Sequence, residues 1–225
     1  MTEAFVRLDH ASLHFRSARE VVKAVNDLSC DVQAGDRIAI TGPSGSGKSS
    51  LLGLLAGLDA PTSGAVTWPA LGPPRTLRPR HIGMAFQTES LLPALTVSEN
   101  VEIPLLILGE ARGAKDRALD MLRVFDLDRF ADRLPEELSG GQMQRVAVAR
   151  ALVTGPSLVL ADEPTGQLDQ VTGQHLIQQI LAAIEGLSAA LVIATHDVAV
   201  ARRMKTNWRI NYGNMESSMV TDAVS

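Results

Sequence analysis

Gly42-Pro43-Ser44-Gly45-Ser46-Gly47-Lys48-Ser49 is a segment whose residue types and spacing suit one task, the holding of a polyphosphate. Glycines allow successive backbone N–H groups to turn toward phosphate oxygens. Lys48 has the reach for β- and γ-phosphates, and the Ser49 hydroxyl is a hard oxygen suited to Mg²⁺. The segment follows the apolar run Arg37-Ile38-Ala39-Ile40-Thr41 and precedes a leucine-rich stretch from about Ser50 to Leu58. A strand before and a helix after, with the positive end of that helix beside the loop, separate a phosphate loop from a flexible glycine–serine turn. The pattern predicts a nucleoside triphosphate site.

Two further apolar runs end in residues of matching chemistry. Ser157-Leu158-Val159-Leu160-Ala161 leads into Asp162-Glu163, and Ala190-Leu191-Val192-Ile193-Ala194 leads into Thr195-His196-Asp197. Ligands of open parallel sheets gather at the carboxyl ends of strands, so these groups are expected around one nucleotide. Asp162 would hold Mg²⁺, directly or through water, completing the site begun by Ser49. Glu163 would polarise the attacking water as general base, a role worth about 10²–10⁴-fold in rate. His196 would sense the γ-phosphate by hydrogen bonding. His10, His14, His81 and His175 read as ordinary surface or packing residues.

Leu138-Ser139-Gly140-Gly141-Gln142-Met143-Gln144-Arg145 carries a different signal. Ser139 and Gln142 form a capping box that opens a helix running on through Val146 to Leu152. Two glycines in a first turn cost about 1 kcal/mol each relative to alanine, unless something must approach that backbone closely. A helix start with bare N–H groups is a second anion site, separate from the first. One triphosphate loop and one separate phosphate-grade helix end suggest a nucleotide shared between two chains.

The elements that must position these groups can be read coarsely. Residues 1–35 alternate apolar and polar positions and turn at Ala34-Gly35-Asp36, which predicts antiparallel strands leading to the phosphate-loop strand. Residues 61–81 hold so many prolines and glycines that loops and a short strand near Ala65–Trp68 are expected, and no helix. Thr96-Val97-Ser98-Glu99 is a capping box, and Glu110 to Phe125 has helical periodicity, so about 88–138 reads as a helical insert. Strand–helix alternation resumes at Leu158, with a helix near Thr172–Glu185.

Bulk properties bound the partners. The chain has 225 residues, enough to bury a proper core as one large α/β domain or a core with an insert. A formal charge of −4 offers no general attraction to nucleic acid, and none is expected as a partner. Cys30 is the only cysteine, so neither an internal disulfide nor a cysteine-rich zinc site can form. The acidic start lacks a signal-peptide pattern. Apolar runs fall short of the ~20 residues a spanning helix needs, so the chain is not expected to cross a membrane by itself.

Taken together, the motifs resemble those of an ABC-type ATPase, a nucleotide-binding subunit of the ATP-binding cassette family, over essentially the whole length. Gly42–Ser49 matches the Walker A loop, Leu138–Gln142 the signature and Leu158–Glu163 the Walker B motif. Gln87 in Met84-Ala85-Phe86-Gln87 matches the Q-loop glutamine, Leu168-Asp169 the D-loop and His196 the switch histidine. The resemblance implies an α/β P-loop NTPase core with a mixed sheet, an N-terminal antiparallel β subdomain and an inserted α-helical subdomain. One ABC ATPase domain would span 1–225. Residues 1–87 and 139–225 would form the RecA-like core with its antiparallel β subdomain, and 88–138 the helical one.

By the same resemblance, ATP and Mg²⁺ are the cofactors. Gln87 joins Glu163 and His196 in catalysis, and joins Ser49 and Asp162 at the metal. Phe15 stacks on adenine, while Gly42, Pro43, Ser44, Gly45, Ser46, Gly47, Lys48, Ser49 and Ser50 hold the phosphates. Ser139, Gly140, Gly141 and Gln142, with Asp169 at the seam, cap the nucleotide of a second subunit. Two subunits, a homodimer or a pair with another ATPase chain, would close head to tail on ATP and open after hydrolysis.

Glu89 to Val101, Pro104-Leu105-Leu106 and Asp162-Glu163-Pro164-Thr165-Gly166 resemble the lipoprotein-releasing, macrolide-exporting and cell-division branch. Departures are Gln167 for asparagine, Ser50 for threonine, Phe15 for tyrosine, a short proline-rich 69–79 and an atypical Trp208–Met215.

The leading expectation is thus an ATPase subunit at the cytoplasmic face of the cell membrane that powers a separate integral-membrane permease. Export, lipoprotein extraction and mechanotransmission all fit. The alternative is an ATP-dependent scaffold of a cell-division-like membrane complex without transport. A soluble repair or translation ATPase fits less well, since no coiled coil, zinc module or second cassette is seen. A coupling surface is expected near Phe86–Leu92 and the helix after Thr96, with Leu91, Leu92, Leu105 and Leu106 as candidate contacts.

Overall fold

The computed structural model describes residues 3–16, 21–86 and 91–220, with side chains to 216. In chain order the elements are β1 (Val6–Arg16), β2 (Val21–Val32), β3 (Arg37–Thr41), α1 (Lys48–Leu55), β4 (Ser63–Thr67), α2 (Pro74–Leu77) and β5 (Ile82–Ala85). Then come α3 (Val97–Ile107), α4 (Ala114–Val124), α5 (Gly140–Leu152), β6 (Leu158–Asp162) and α6 (Gln170–Ala183). The chain closes with β7 (Ala190–Ala194), α7 (Val198–Ala201), β8 (Thr206–Asn211) and β9 (Asn214–Val220). It divides into two units, Met1–Leu77 with Ala190–Ser225, and Arg78–Ala189. No helix among the described residues is long and apolar enough to cross a membrane.

The first unit holds an antiparallel sheet, β2-β1-β4, and a mixed one in which β3 lies between parallel β7 and β8, with β9 antiparallel to β8. The expected alternation along β1 is broken by bulges: Ala11, Ser12 and Leu13 are buried in succession, and His10 takes φ +47. In the parallel sheet Ile40 lies opposite Ala194, which brings the carboxyl ends of β3 and β7 level. Helix α1 buries Leu51, Leu52, Leu54 and Leu55 completely, so the phosphate loop is seated on a packed helix. Against expectation, Pro74–Leu77 forms one helical turn. Proline at a first helical position lacks only an N–H that would be unpaired anyway, and its fixed φ favours the turn.

In the second unit β5 and β6 pair in parallel from Ile82↔Leu158 to Ala85↔Ala161, and α5 packs on β5. A Cβ on Gly83 would run into the Ala151 carbonyl, so glycine sets that close approach. Helices α3 and α4 pack on each other and on α5. The Thr96 capping box forms as read from the sequence, with Thr96 Oγ1 accepting from the Glu99 N–H at 3.3 Å. The second helix begins at Ala114, after the loop that contains Gly109 and Gly113.

Candidate active site

The phosphate loop is held from several sides. Gly42 and Gly47 take φ +152 and +106, and a Cβ on either would strike a backbone carbonyl, Ile210 for Gly42 and Ala24 for Gly47. No other residue fits these two positions without moving a neighbouring strand. Lys48 is buried and donates from Nζ to the carbonyls of Gly42 (3.0 Å) and Pro43 (3.1 Å), which keeps the ammonium at the loop. The Ser46 Oγ is buried and has no partner among the described residues. Gly45 has open space where a side chain would lie, and Ser49 is exposed in the first turn of α1, with Ser50 half-buried beside it. A cradle of this kind, with a cation and an orphan hydroxyl, fits a phosphate chain.

His196 is exposed just past β7 and lines a cleft of about 460 Å³ with Thr41, Gly42 and Pro43. Arg202 and Arg209 line the same cleft. Two of the sequence-predicted groups, the loop and the histidine, are thus brought together. Phe15 lies on β1 opposite Val22 and is 48% exposed, next to exposed Val21 and Val22.

Asp162 ends β6, and both it and Glu163 are buried. Glu163 takes φ +47, a region that costs a non-glycine residue about 1 kcal/mol or more. The Gly166 N–H donates to its carbonyl at 3.0 Å and fixes the turn. Such strain at a buried carboxylate re-aims the side chain relative to the strand before it, which spacing alone does not reveal. Gln87 lies outside the described residues.

The start of α5, expected as a second anion site, has its capping box formed. Ser139 caps it, accepting from the Gln142 N–H at 3.3 Å, while Gln142 Oε1 accepts from the Ser139 N–H at 2.8 Å. A cleft of about 490 Å³ is lined here by Ser139, Gly140, Gly141, Arg145, Leu168 and Asp169. What approaches the glycines within this chain is the segment Gln167-Leu168: a Cβ on Gly140 would lie 2.7 Å from Gln167 Oε1, and one on Gly141 would lie 2.5 Å from Leu168 Cδ2. Asp169 caps α6, accepting from the N–H groups of Val171 (3.1 Å) and Thr172 (3.0 Å) and from the Thr172 hydroxyl (2.6 Å). The Thr172 hydroxyl and N–H hold its carboxyl below the usual range.

A family model described as ABC transporter matches residues 25–166. The chain belongs to the ABC transporter family. The lipoprotein-releasing system ATP-binding protein LolD of Chromohalobacter salexigens is 42% identical to it, over 95% of this chain and 93% of that protein. The LolD of Legionella pneumophila strain Paris is 46% identical, over 87% and 88%. Among solved structures, the ATP-binding cassette MJ0796 of Methanocaldococcus jannaschii, in a dimeric post-hydrolysis state bound to ADP and Pi, superposes with a TM-score of 0.88. It is 35% identical, covering 96% of this chain and 99% of that one.

This cassette is therefore an ATPase of the ABC transporter type, with the α/β P-loop NTPase fold, mixed sheet, antiparallel β subdomain and helices that the motifs led one to expect. Its branch is the expected one as well. One coupling candidate is corrected: Leu105 is wholly buried and packs the helical layer, whereas Phe86, Leu92, Leu106 and Ile107 are exposed. Sequence reasoning missed Asn100, which is fully buried and bonds the loop before α3. An asparagine four residues after a capping threonine was the available signal.

Proposed function

We propose that this cassette powers a separate integral-membrane permease at the cytoplasmic face of the cell membrane, through ATP-driven head-to-tail closure of two copies. The observation that carries this reading is the cleft at the start of α5, whose lining comes from the signature and the D-loop segment. A helix start of this kind can cap a phosphate bound to another copy. The lipoprotein-releasing relatives favour extraction of a lipid-anchored cargo over other tasks of the branch.

In the proposed site Gly42 to Ser50 bind the phosphates, through Lys48 and the backbone N–H groups other than at Pro43, and Phe15 stacks on adenine. Ser49, Asp162 and Gln87 would hold Mg²⁺; a hydroxyl and a carboxylate suit a hard cation that keeps waters and leans on phosphate oxygens. When bound, that ion neutralises charge on the β- and γ-phosphates. Glu163 takes the proton as water adds in line to the γ-phosphorus and the bond to the β–γ bridging oxygen breaks. His196 hydrogen-bonds the γ-phosphate. Ser139, Gly140, Gly141, Gln142 and Asp169 meet the nucleotide of the other copy. ATP binds the closed pair better and shifts the equilibrium toward it. Residues 88–138 form the helical subdomain, and 1–87 with 139–225 the core.

Tagged Glu163→Gln, purified with ATP and Mg²⁺ from gently solubilised membranes, tests the partner. A multispanning protein that co-elutes with ATP, and less without it, is the expected result. Recovery of soluble partners alone, or of a bare homodimer after effective crosslinking, would contradict it. If the multispanning partner co-elutes but its substrate flux does not depend on ATP turnover, the scaffold reading replaces transport.

A further inference from the structure

The turn joining β8 to β9 lies against the phosphate loop. Tyr212 and Gly213 take φ +46 and +77 between the paired residues Asn211 and Asn214, as a two-residue type I′ hairpin turn requires. The Gly213 N–H donates to the Ser46 carbonyl at 2.9 Å, and the Gly213 carbonyl accepts from the Asn26 N–H at 2.8 Å. Asn26 Nδ2 also donates to Asn214 Oδ1 at 2.9 Å. The turn is thus strapped to the loop on one side and to β2 on the other.

Peptide planarity gives this strap a consequence. The Ser46 carbonyl and the Gly47 N–H share one peptide plane, and in a trans peptide they point in opposite directions. With the carbonyl engaged by Gly213, the Gly47 N–H is turned away from the hairpin. A Cβ on Gly47 would lie 1.9 Å from the Ala24 carbonyl oxygen, so the Gly47 backbone passes close to β2. A Cβ on Gly213 would lie 2.6 Å from the Lys23 carbonyl, so only glycine sits this close to β2.

We propose that Gly213, braced by Asn26 and Asn214, is a positioning residue for nucleotide binding, because its N–H presets the Gly47 N–H as a phosphate donor. The proposal rests on the nucleotide reading of the loop. A donor fixed before binding adds affinity for phosphate and none for adenosine.

Replacing Gly213 with glycolic acid, by suppressor-tRNA incorporation, turns its N–H into an ester oxygen and keeps the shape. ADP affinity measured by calorimetry should fall about three- to tenfold, the worth of one hydrogen bond. Adenosine affinity should hold, and amide exchange at Gly47 should quicken in the nucleotide-free protein. Asn26→Ala removes one brace and should move the ADP-to-adenosine affinity ratio the same way by a smaller factor. Unchanged ADP affinity in a folded ester protein overturns the proposal. If the ester protein does not fold, an unchanged ratio in Asn26→Ala overturns it. Failure of the unaltered protein to bind ADP would instead sink the nucleotide reading itself.

Discussion

Asn100 makes the sharpest stability prediction, because one buried amide serves a whole turn of loop. Its Oδ1 accepts from the Leu92 N–H at 2.7 Å, and its Nδ2 faces the carbonyls of Leu92 (3.1 Å), Leu95 (3.0 Å) and Thr96 (3.0 Å). An NH₂ has two hydrogens, so it satisfies two of these acceptors at a time, and three bonds count in all. At about 0.5–1.5 kcal/mol each, less the slight gain of the helix from alanine, Asn100→Ala should cost about 1–4 kcal/mol. For a chain of this size that lowers Tm by about 3–12 °C. Thermal unfolding followed by circular dichroism measures the shift, and amide exchange at Leu92 should quicken in parallel. Asn100→Asp keeps the acceptor but turns a buried carboxylate toward three carbonyls, so it should cost at least as much as alanine. A Tm within about 2 °C of the unaltered protein, with Leu92 still protected, would mean that the loop is held by other contacts and would refute the reasoning.

Other outcomes follow from the same geometry. Leu92→Asp should leave Tm unchanged, because the side chain is 49% exposed, while abolishing stimulation of ATPase by the membrane partner in reconstituted vesicles. Gly140→Ala should keep Tm within about 2 °C, since only the exposed Gln167 side chain must move, yet steady-state ATPase should drop at least tenfold if another copy's phosphate needs that backbone. Asp169 has its folded pKa held below the ordinary 3.8 by the Thr172 hydroxyl and N–H. The stability it lends is therefore complete above the unfolded value and lost as pH falls through the folded one. Amide exchange at Val171 and Thr172 should quicken as pH falls below the ordinary carboxylate value, and Thr172→Ala should shrink that acid-dependent change.

Motifs whose chemistry is local were legible before any coordinates. The phosphate loop needs eight adjacent residues in one order, and capping boxes at Thr96 and Ser139 need only a four-residue spacing. What stayed hidden depends on partners far along the chain. Leu105 and Leu106 are neighbours with identical side chains, and only the packing around α3 decides that the first is buried and the second exposed. The left-handed backbone at Glu163 has no sequence mark, because glutamate is not a residue that invites it. The glycines at 140 and 141 suggested an external visitor, yet Gln167 and Leu168 of the same chain also crowd them. Pro74 read as a breaker because proline density says nothing of position, and at a helix start proline is a good fit. The strap from Gly213 to Ser46 spans 167 residues of sequence, and a Tyr-Gly pair between strands announces a turn without naming what it touches.

Closure of two copies on ATP is the claim on which the mechanism stands, and sedimentation of Glu163→Gln with ATP and Mg²⁺ tests it most directly. A dimer carrying two ATP is expected, and monomers for Glu163→Gln combined with either Lys48→Ala or a bulky Ser139→Arg. A Glu163→Gln protein that binds ATP fully and still sediments as a monomer at every accessible concentration would contradict it.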